Sequence, residues 1–331
     1  MAEYKEIRGT TIQNFTTDPG TSAEGQVWYD ETARTVQYNI KNQSTAWRTS
    51  GNLNTGRFYF SGSGVQTSSI VTGGEIPAPR AIAESYNGTS WTEVADLNTG
   101  RQSQGQSGIS NTSALVFAGY DSGALTETET WNGTAWTEVA DTNTGHYYLA
   151  DAGTATSALA VGGNPTPTRG YAESWNGTSW TEVADLNSAR TELGGAGSSN
   201  TNTLVFGGDP GSVAVTETWN GTAWTEVGDL NTGRKGLSGT GAGTNTAAIV
   251  AGGAPTSAIT ESWNGTAWTE ITDLNTAREA AVGSGTSTAA LATGGTPSSP
   301  QSALTVTEEL NVNAATGAWA TGGTMNTARA N

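Results

Sequence analysis

The sequence predicts an all-β protein, a β-propeller of four-stranded antiparallel blades. Three observations predict it. One string recurs along the chain: SYNGTSWTEVADLNTGR ends at Arg101, TWNGTAWTEVADTNTGH at His146, SWNGTSWTEVADLNSAR at Arg190, TWNGTAWTEVGDLNTGR at Arg234 and SWNGTAWTEITDLNTAR at Arg278. Weaker copies end at Arg57 and Arg329, so Trp47, Trp91, Trp136, Trp180, Trp224, Trp268 and Trp319 follow one another at spacings of 44, 45, 44, 44, 44 and 51. Each unit also divides into four short strand-like pieces, the count expected of a propeller blade at this period. Finally, Gly, Thr and Asn pervade every unit, and none favours a helix.

The unit from Arg190 to Arg234 shows the elements in order. Residues 191–198 are a small-residue strand, which suits the crowded strands nearest the axis. Residues 203–206 are an apolar run closed by Gly207-Gly208, and read as a strand buried on both faces. Residues 213–219 alternate into a turn, and 223–227 follow it. The turn is Asn-Gly, the strongest short hairpin signal. With Asn132-Gly133 as its two central residues, Trp131 faces Thr134, and Glu129, Trp131, Thr134, Trp136 and Glu138 share one blade face. That face packs on the next blade, so the tryptophans are expected between blades.

Residues 57–100, 101–145, 146–189, 190–233, 234–277 and 278–329 make six repeat blades. Residues 8–56 supply four further strand candidates (10–15, 26–29, 35–40 and 46–50) and read as a divergent first blade after a tail of residues 1–7. This gives seven blades over 8–329. The alternative is six blades plus a small N-terminal β piece. On either count the last unit is complete, and no exchanged strand is needed to close the ring.

Composition excludes several functions. The 331 residues contain no Cys and one His, which removes disulfide scaffolds, thiol catalysis and multi-His metal centres. The net charge of −16 argues against nucleic acid, whose phosphates it would repel. No run of about 18 apolar residues is present, so no membrane insertion is expected. The first residues show no apolar secretory signal. The Gly-rich inner strands lack the Lys-Ser/Thr of a phosphate loop, and the acidic clusters lack calcium-loop spacing. No cofactor, metal or catalytic residue is assigned. The recurrent Glu84, Glu129, Glu173, Glu217 and Glu261, like the unit-opening arginines, meet a need that every blade shares: charge-assisted pairing between blades. The Asn-Gly-Thr strings match a glycosylation pattern, but the turn accounts for them without sugar.

The order of Arg, apolar strand, Gly-Gly, aromatic and Trp resembles the kelch propeller repeat. The Gly pairs are Gly73-Gly74, Gly162-Gly163, Gly207-Gly208, Gly252-Gly253 and Gly294-Gly295, with Ala118-Gly119 departing. The aromatics are Tyr86, Trp131, Trp175, Trp219 and Trp263, and the last unit has Leu310 there. The near-identical units also resemble kelch-type repeat proteins encoded by tailed phages of marine bacteria. The stretch EGQVWYDETARTVQYN resembles segments of phage tail-fibre and virion proteins. The resemblance implies a non-enzymatic virion component, a fibre, appendage or surface-decorating module. It would be made in the host cytoplasm, present in multiple copies, and bind host-surface glycans or other virion proteins. A cellular kelch-like scaffold for a protein partner is the alternative. A sugar oxidase or sialidase is disfavoured by the missing Cys, the single His and the absence of an evident tri-arginine cluster.

Differences between units point to the binding end. The interval from Gly-Gly to Glu varies from 8 to 13 residues, whereas Glu to Trp is 7 in five of the six repeat units. The loop between second and third strands lies at the same end as the connection between blades, and variable loops on a rigid scaffold suit recognition. That end is expected to carry Phe58, Tyr59, Phe60, Arg80, Tyr120, Asp121, His146, Tyr147, Tyr148, Arg169 and Tyr171 as candidate ligand or partner contacts.

Overall fold

The computed structural model describes residues 45–311 apart from 76, 165–169, 240–242 and 298–301, together with the backbone of four strands outside that span. The chain divides into two compact units, Thr45–Val312 and a second formed by Met1–Ser44 with Asn313–Asn331. No helix occurs among the described residues.

The larger unit is a propeller of six blades, each a four-stranded antiparallel sheet. Blade 2 is representative, with strands Gly105–Ser110, Ser113–Phe117, Thr128–Trp131 and Trp136–Val139 from the inside outwards. The second strand is the most apolar: Ala114, Leu115, Val116 and Phe117 are all fully buried. It is covered on both faces by neighbouring blades, which explains the lack of alternation in its sequence.

The expected seventh blade is not formed. Its first three strand candidates appear as Gln13–Phe15, Val27–Asp30 and Thr35–Tyr38, but they build a separate sheet with Ala320–Thr321 in the smaller unit. The first two of these strands pair in parallel, whereas neighbouring strands of a blade are antiparallel. The alternative of six blades plus a small N-terminal β piece therefore fits. The fourth candidate, Ala46–Thr49, is the outer strand of blade 6, beside Thr307–Asn311. The expectation that no exchanged strand closes the ring is thus overturned. Unit 278–329 supplies three blade strands, and Trp47 lies opposite Leu310 as Trp136 lies opposite Trp131. The physical reason is visible in the repeat itself. Thr45-Ala46-Trp47 copies the Thr-Ala-Trp that opens the outer strands, and an outer strand needs a third strand to pair with. Trp319, the expected marker of the last blade, lies outside the described residues.

The hairpins also differ from expectation. The Asn-Gly turn is a four-residue loop, so Trp131 pairs with Trp136 directly and not with Thr134. The Asn132 side-chain oxygen accepts from the amides of Thr134 and Ala135 at 2.9 and 3.0 Å. An Asx turn of this kind fixes the loop without two left-handed residues. The same pair of bonds recurs at Asn87, Asn176, Asn220 and Asn264.

The tryptophans lie between blades, as the face assignment requires. Trp131 and Trp136, with ring centroids 5.1 Å apart, join Ile70 and Leu97 from the blade-1 side. The indole of Trp136 donates to the Ala95 carbonyl at 2.9 Å, so its polar edge is satisfied by the neighbouring blade's exit strand.

The Gly-Gly pairs have a steric cause. Gly73 and Gly74 both have positive φ, 68° and 99°. A Cβ on Gly73 would stand 2.6 Å from the Arg101 carbonyl of the next blade. The second glycine of each pair donates its amide to that carbonyl: Gly74 to Arg101, Gly119 to His146, Gly163 to Arg190, Gly208 to Arg234, Gly253 to Arg278 and Gly295 to Arg57. The last of these bonds joins blade 6 to blade 1.

Candidate functional site

The recurrent Arg and Glu form buried ion pairs within five of the six repeat units, not between blades as the sequence suggested. Arg101 meets Glu129 at 2.6 Å, Arg190 meets Glu217 at 2.9 Å and Arg234 meets Glu261 at 2.7 Å. Arg57 with Glu84 and Arg278 with Glu308 complete the set. Each guanidinium also donates to two carbonyls of its blade, as Arg190 does to Gly207 and Val215 at 2.6 and 2.7 Å. Burial lowers the pKa of these arginines, and the paired carboxylate opposes that shift. The carboxylate does join blades in another way. Glu129 accepts from the amide and side chain of Asn98, at 2.7 and 2.8 Å, and from the Thr99 amide at 3.3 Å. The Asn-Thr-Gly-Arg string is therefore a clamp that pins the linker leaving one blade onto the third strand of the next.

His146 breaks this pattern. It is 1% exposed, its Nδ1 lies 3.1 Å from the Gly162 carbonyl, and its Nε2 has no partner. Burial lowers its pKa, against the Gly162 bond and the Glu173 charge. As a candidate ligand contact it is therefore corrected: the ring lies beneath the surface in the place of a clamp arginine.

The two residues after each clamp residue set the geometry at this end of the propeller. Tyr59, Ser103, Tyr148, Glu192 and Ala280 all adopt positive φ, between 51° and 57°, as does Gly236. Their backbones form a closed circuit around the axis. Tyr59 donates to Ala280, Ser103 to Tyr59, Tyr148 to Ser103, Glu192 to Tyr148, Gly236 to Glu192 and Ala280 to Gly236, over 2.6 to 3.3 Å. Five non-glycine residues held in the left-handed region cost free energy that the circuit must offset.

Five of the expected contact residues come together here. Phe58 and Tyr59 rings are 5.3 Å apart, Tyr59 and Tyr148 5.2 Å, Tyr148 and Tyr147 5.3 Å, and Tyr147 and Tyr120 4.9 Å. This row of five rings crosses from blade 1 to blades 2 and 3. Its four tyrosines are half-buried, and Phe58 is buried beneath them. Burial pushes the Tyr148 phenol up, with Tyr59 adding to the shift. The expected contact Phe60 is instead 6% exposed and packs in the core with Val71, Trp91 and Leu291, its ring 5.8 Å from the Arg57 guanidinium carbon. Arg80 and Asp121 are exposed and Tyr171 is half-buried, all on loops between second and third strands. The Arg80 backbone bridges to Arg101, which sets that loop beside the blade connection. Arg169 lies outside the described residues.

A cavity of about 120 Å³ opens inside the circuit, where the inner strands begin. Its lining includes Tyr59 and Tyr148 from the aromatic row, Gln104, and Asp151, Glu192 and Leu193, the last three of which sequence reasoning missed. Asp151 accepts the Gln106 backbone N–H, and desolvation pushes its carboxyl up to about 7. Glu192 is paired with Lys235 at 3.4 Å, and Lys235 also reaches Asp209 at 3.3 Å. Desolvation raises the Glu192 pKa against the Lys235 charge. Desolvation also opposes the Lys235 charge, but Glu192 and Asp209 outweigh it and raise the ammonium pKa. The signal for Asp151 was available by aligning units. Five residues after the opening Arg stand Gly62, Gly195, Gly239 and Gly283, with Gln106 and Asp151 as the departures.

The fold and this axial site define a six-bladed β-propeller closed by an exchanged outer strand. A solved structure titled "Structure of YjhT" is similar to it, with a TM-score of 0.64, 12% identity, and coverage of 80% of this chain and 97% of that one. At that identity the likeness is one of fold. No protein-family model and no curated protein matches the sequence.

Proposed function

We propose that this propeller is a non-enzymatic binding module of kelch type, carried in multiple copies on a tailed-phage virion, and that its aromatic end engages a host-surface glycan. The observation that carries the reading is the row of five aromatic rings beside an axial cavity, at the end where the loops differ between blades. Aromatic faces stack on the apolar faces of sugar rings, and phenol and carboxylate groups bond their hydroxyls. The opposite end offers five hairpins of one length and nearly one sequence, which gives a selective partner little to read. A rigid disc with one weak site gains strength from copy number.

A glycan array and a host-cell attachment assay test this. Replacing Tyr59, Tyr148, Arg80 and Arg169 together by Ala should abolish binding while the melting temperature holds. Replacing Thr89, Thr134, Thr178 and Thr222 on the hairpins should change nothing. Loss of binding in the hairpin variant alone would place recognition at the opposite end. Capture of another virion protein in place of a glycan, lost in the same loop variant, would keep the face and change the ligand class.

A further inference from the structure

The axial cavity has a chemical bias beyond being a place for a sugar. An inner strand pairs only with the second strand of its own blade, so its other edge faces the axis and offers unpaired backbone groups. At four of the six positions equivalent to Asp151 there is no side chain. At Gly62 a Cβ would stand 2.6 Å from a Val282 methyl, and at Gly195 2.4 Å from the Asp151 carbonyl, so neighbouring inner strands touch. Asp151 alone brings a charge to this level, and among the described residues no cationic side chain pairs with it. The nearby Lys235 is already shared between Glu192 and Asp209.

Asp151 thus lines a cavity together with Tyr59, Tyr148, Leu149 and Leu193, with Ser61, Ser103 and Glu192 among its other polar side chains. A carboxylate partly withdrawn from water without a cation is costly, and Asp151 has only the Gln106 backbone N–H to offset it. An ammonium group supplies three donors and a positive charge, and Tyr59 and Tyr148 offer ring faces to a cation at the mouth. We infer that the cavity takes a small ligand bearing a primary ammonium group, which sits against Asp151 while its carbon skeleton lies against Tyr148 and Leu193. Applied to the glycan reading above, on which this application rests, the preferred sugars are amino sugars with a free amine. Uronic and other acidic sugars are excluded by Asp151, by Glu192 and by the −16 charge of the chain.

The test is titration of the full chain, followed by NMR shifts or calorimetry, with two matched pairs: ethanolamine against ethylene glycol, and glucosamine against glucose. The amines should bind with dissociation constants tighter than roughly 10 mM and at least tenfold more tightly than their neutral partners. Asp151→Asn should erase that preference. Equal binding of amine and neutral compound, a preference that survives Asp151→Asn, or no binding by any of the four would overturn the inference. If ethanolamine is selected through Asp151 while neither sugar binds, ammonium recognition stands and the glycan reading fails. If glucose binds as tightly as glucosamine, the glycan reading stands and ammonium recognition fails.

Discussion

The Tyr59 amide donates to the Ala280 carbonyl at 3.3 Å, across the junction of blades 1 and 6. This bond completes the circuit of six around the axis, and it fixes the backbone at positions whose side chains form the mouth of the cavity. The circuit demands positive φ at every member, and only Gly236 meets the demand without strain.

Two reciprocal substitutions should therefore have opposite signs. A Cβ on Gly236 would touch nothing closer than 3.7 Å, so Gly236→Ala changes the backbone preference alone. It should destabilise the propeller by about 1 kcal/mol. Ala280→Gly, at φ 51°, should be neutral or stabilising by up to about 1 kcal/mol. Chemical denaturation of both variants is the measurement, and equal losses in both would show that the circuit imposes no strain.

Closure depends on a strand of four residues. Removing residues 1–44 and 313–331 leaves every blade strand in place, and the remaining fragment should melt as the propeller of the full chain does. Removing residues 1–50 takes Ala46–Thr49 from blade 6 and exposes the edge of Thr307–Asn311, which invites aggregation. Trp47→Ala should cost about 3–5 kcal/mol, since Trp47 is 5% exposed and its indole donates to Thr260 of blade 5. Light scattering and thermal melts of the two truncations distinguish this from an open six-bladed ring. A 51–331 fragment that stays monomeric with an unchanged melting temperature contradicts it.

The clamp gives a third prediction. Arg190→Ala leaves Glu217 buried without its cation and should cost about 3–5 kcal/mol. In blade 3 that cation is missing already, because His146 donates no ion pair to Glu173, which still holds Asn143 and Thr144. His146→Arg restores the residue that the other five blades use and should raise stability by about 1–2 kcal/mol. A loss on this substitution would mean that blade 3 has closed around the smaller ring.

The repeat period, the strand order and the burial of the tryptophans were legible because each is dictated many times over. Trp131 and Trp136 and their copies report one packing rule five times. Blade number was not legible, because Trp47 carries the outer-strand signature but its partner strand lies some 260 residues away in sequence. Periodicity counts units and does not say where a ring is cut. The clustering of Phe58, Tyr59, Tyr147 and Tyr148 was legible from their position after each opening residue, though Phe60 and His146 turned inward. Alternation along the chain does not reveal which side of a connection faces the axis. Asp151 was passed over because a single carboxylate in a small-residue strand carries no local signal. It stands out only once its unit is laid over those with Gly62, Gly195, Gly239 and Gly283.

Asp151 also makes the last prediction, on pH. Desolvation raises its carboxyl from an ordinary 3.8 to about 7 in the folded protein. The folded state then holds a proton that the unfolded chain releases between about pH 4 and pH 7. Stability from this residue is therefore greatest at acid pH and falls as pH rises through that window. The loss has an upper limit of about 4 kcal/mol, set by a shift of about three pKa units. Glu192, Tyr59 and Tyr148 also line the cavity, and Lys235 is paired with Glu192; all four are present in wild type and variant alike, so the difference between the two reads Asp151. Asp151→Asn keeps the shape and removes the charge. It should match wild type near pH 4 and melt several degrees higher at pH 8. A parallel pair of melting curves across that range would show that the carboxylate is solvated in the channel and bears no desolvation penalty.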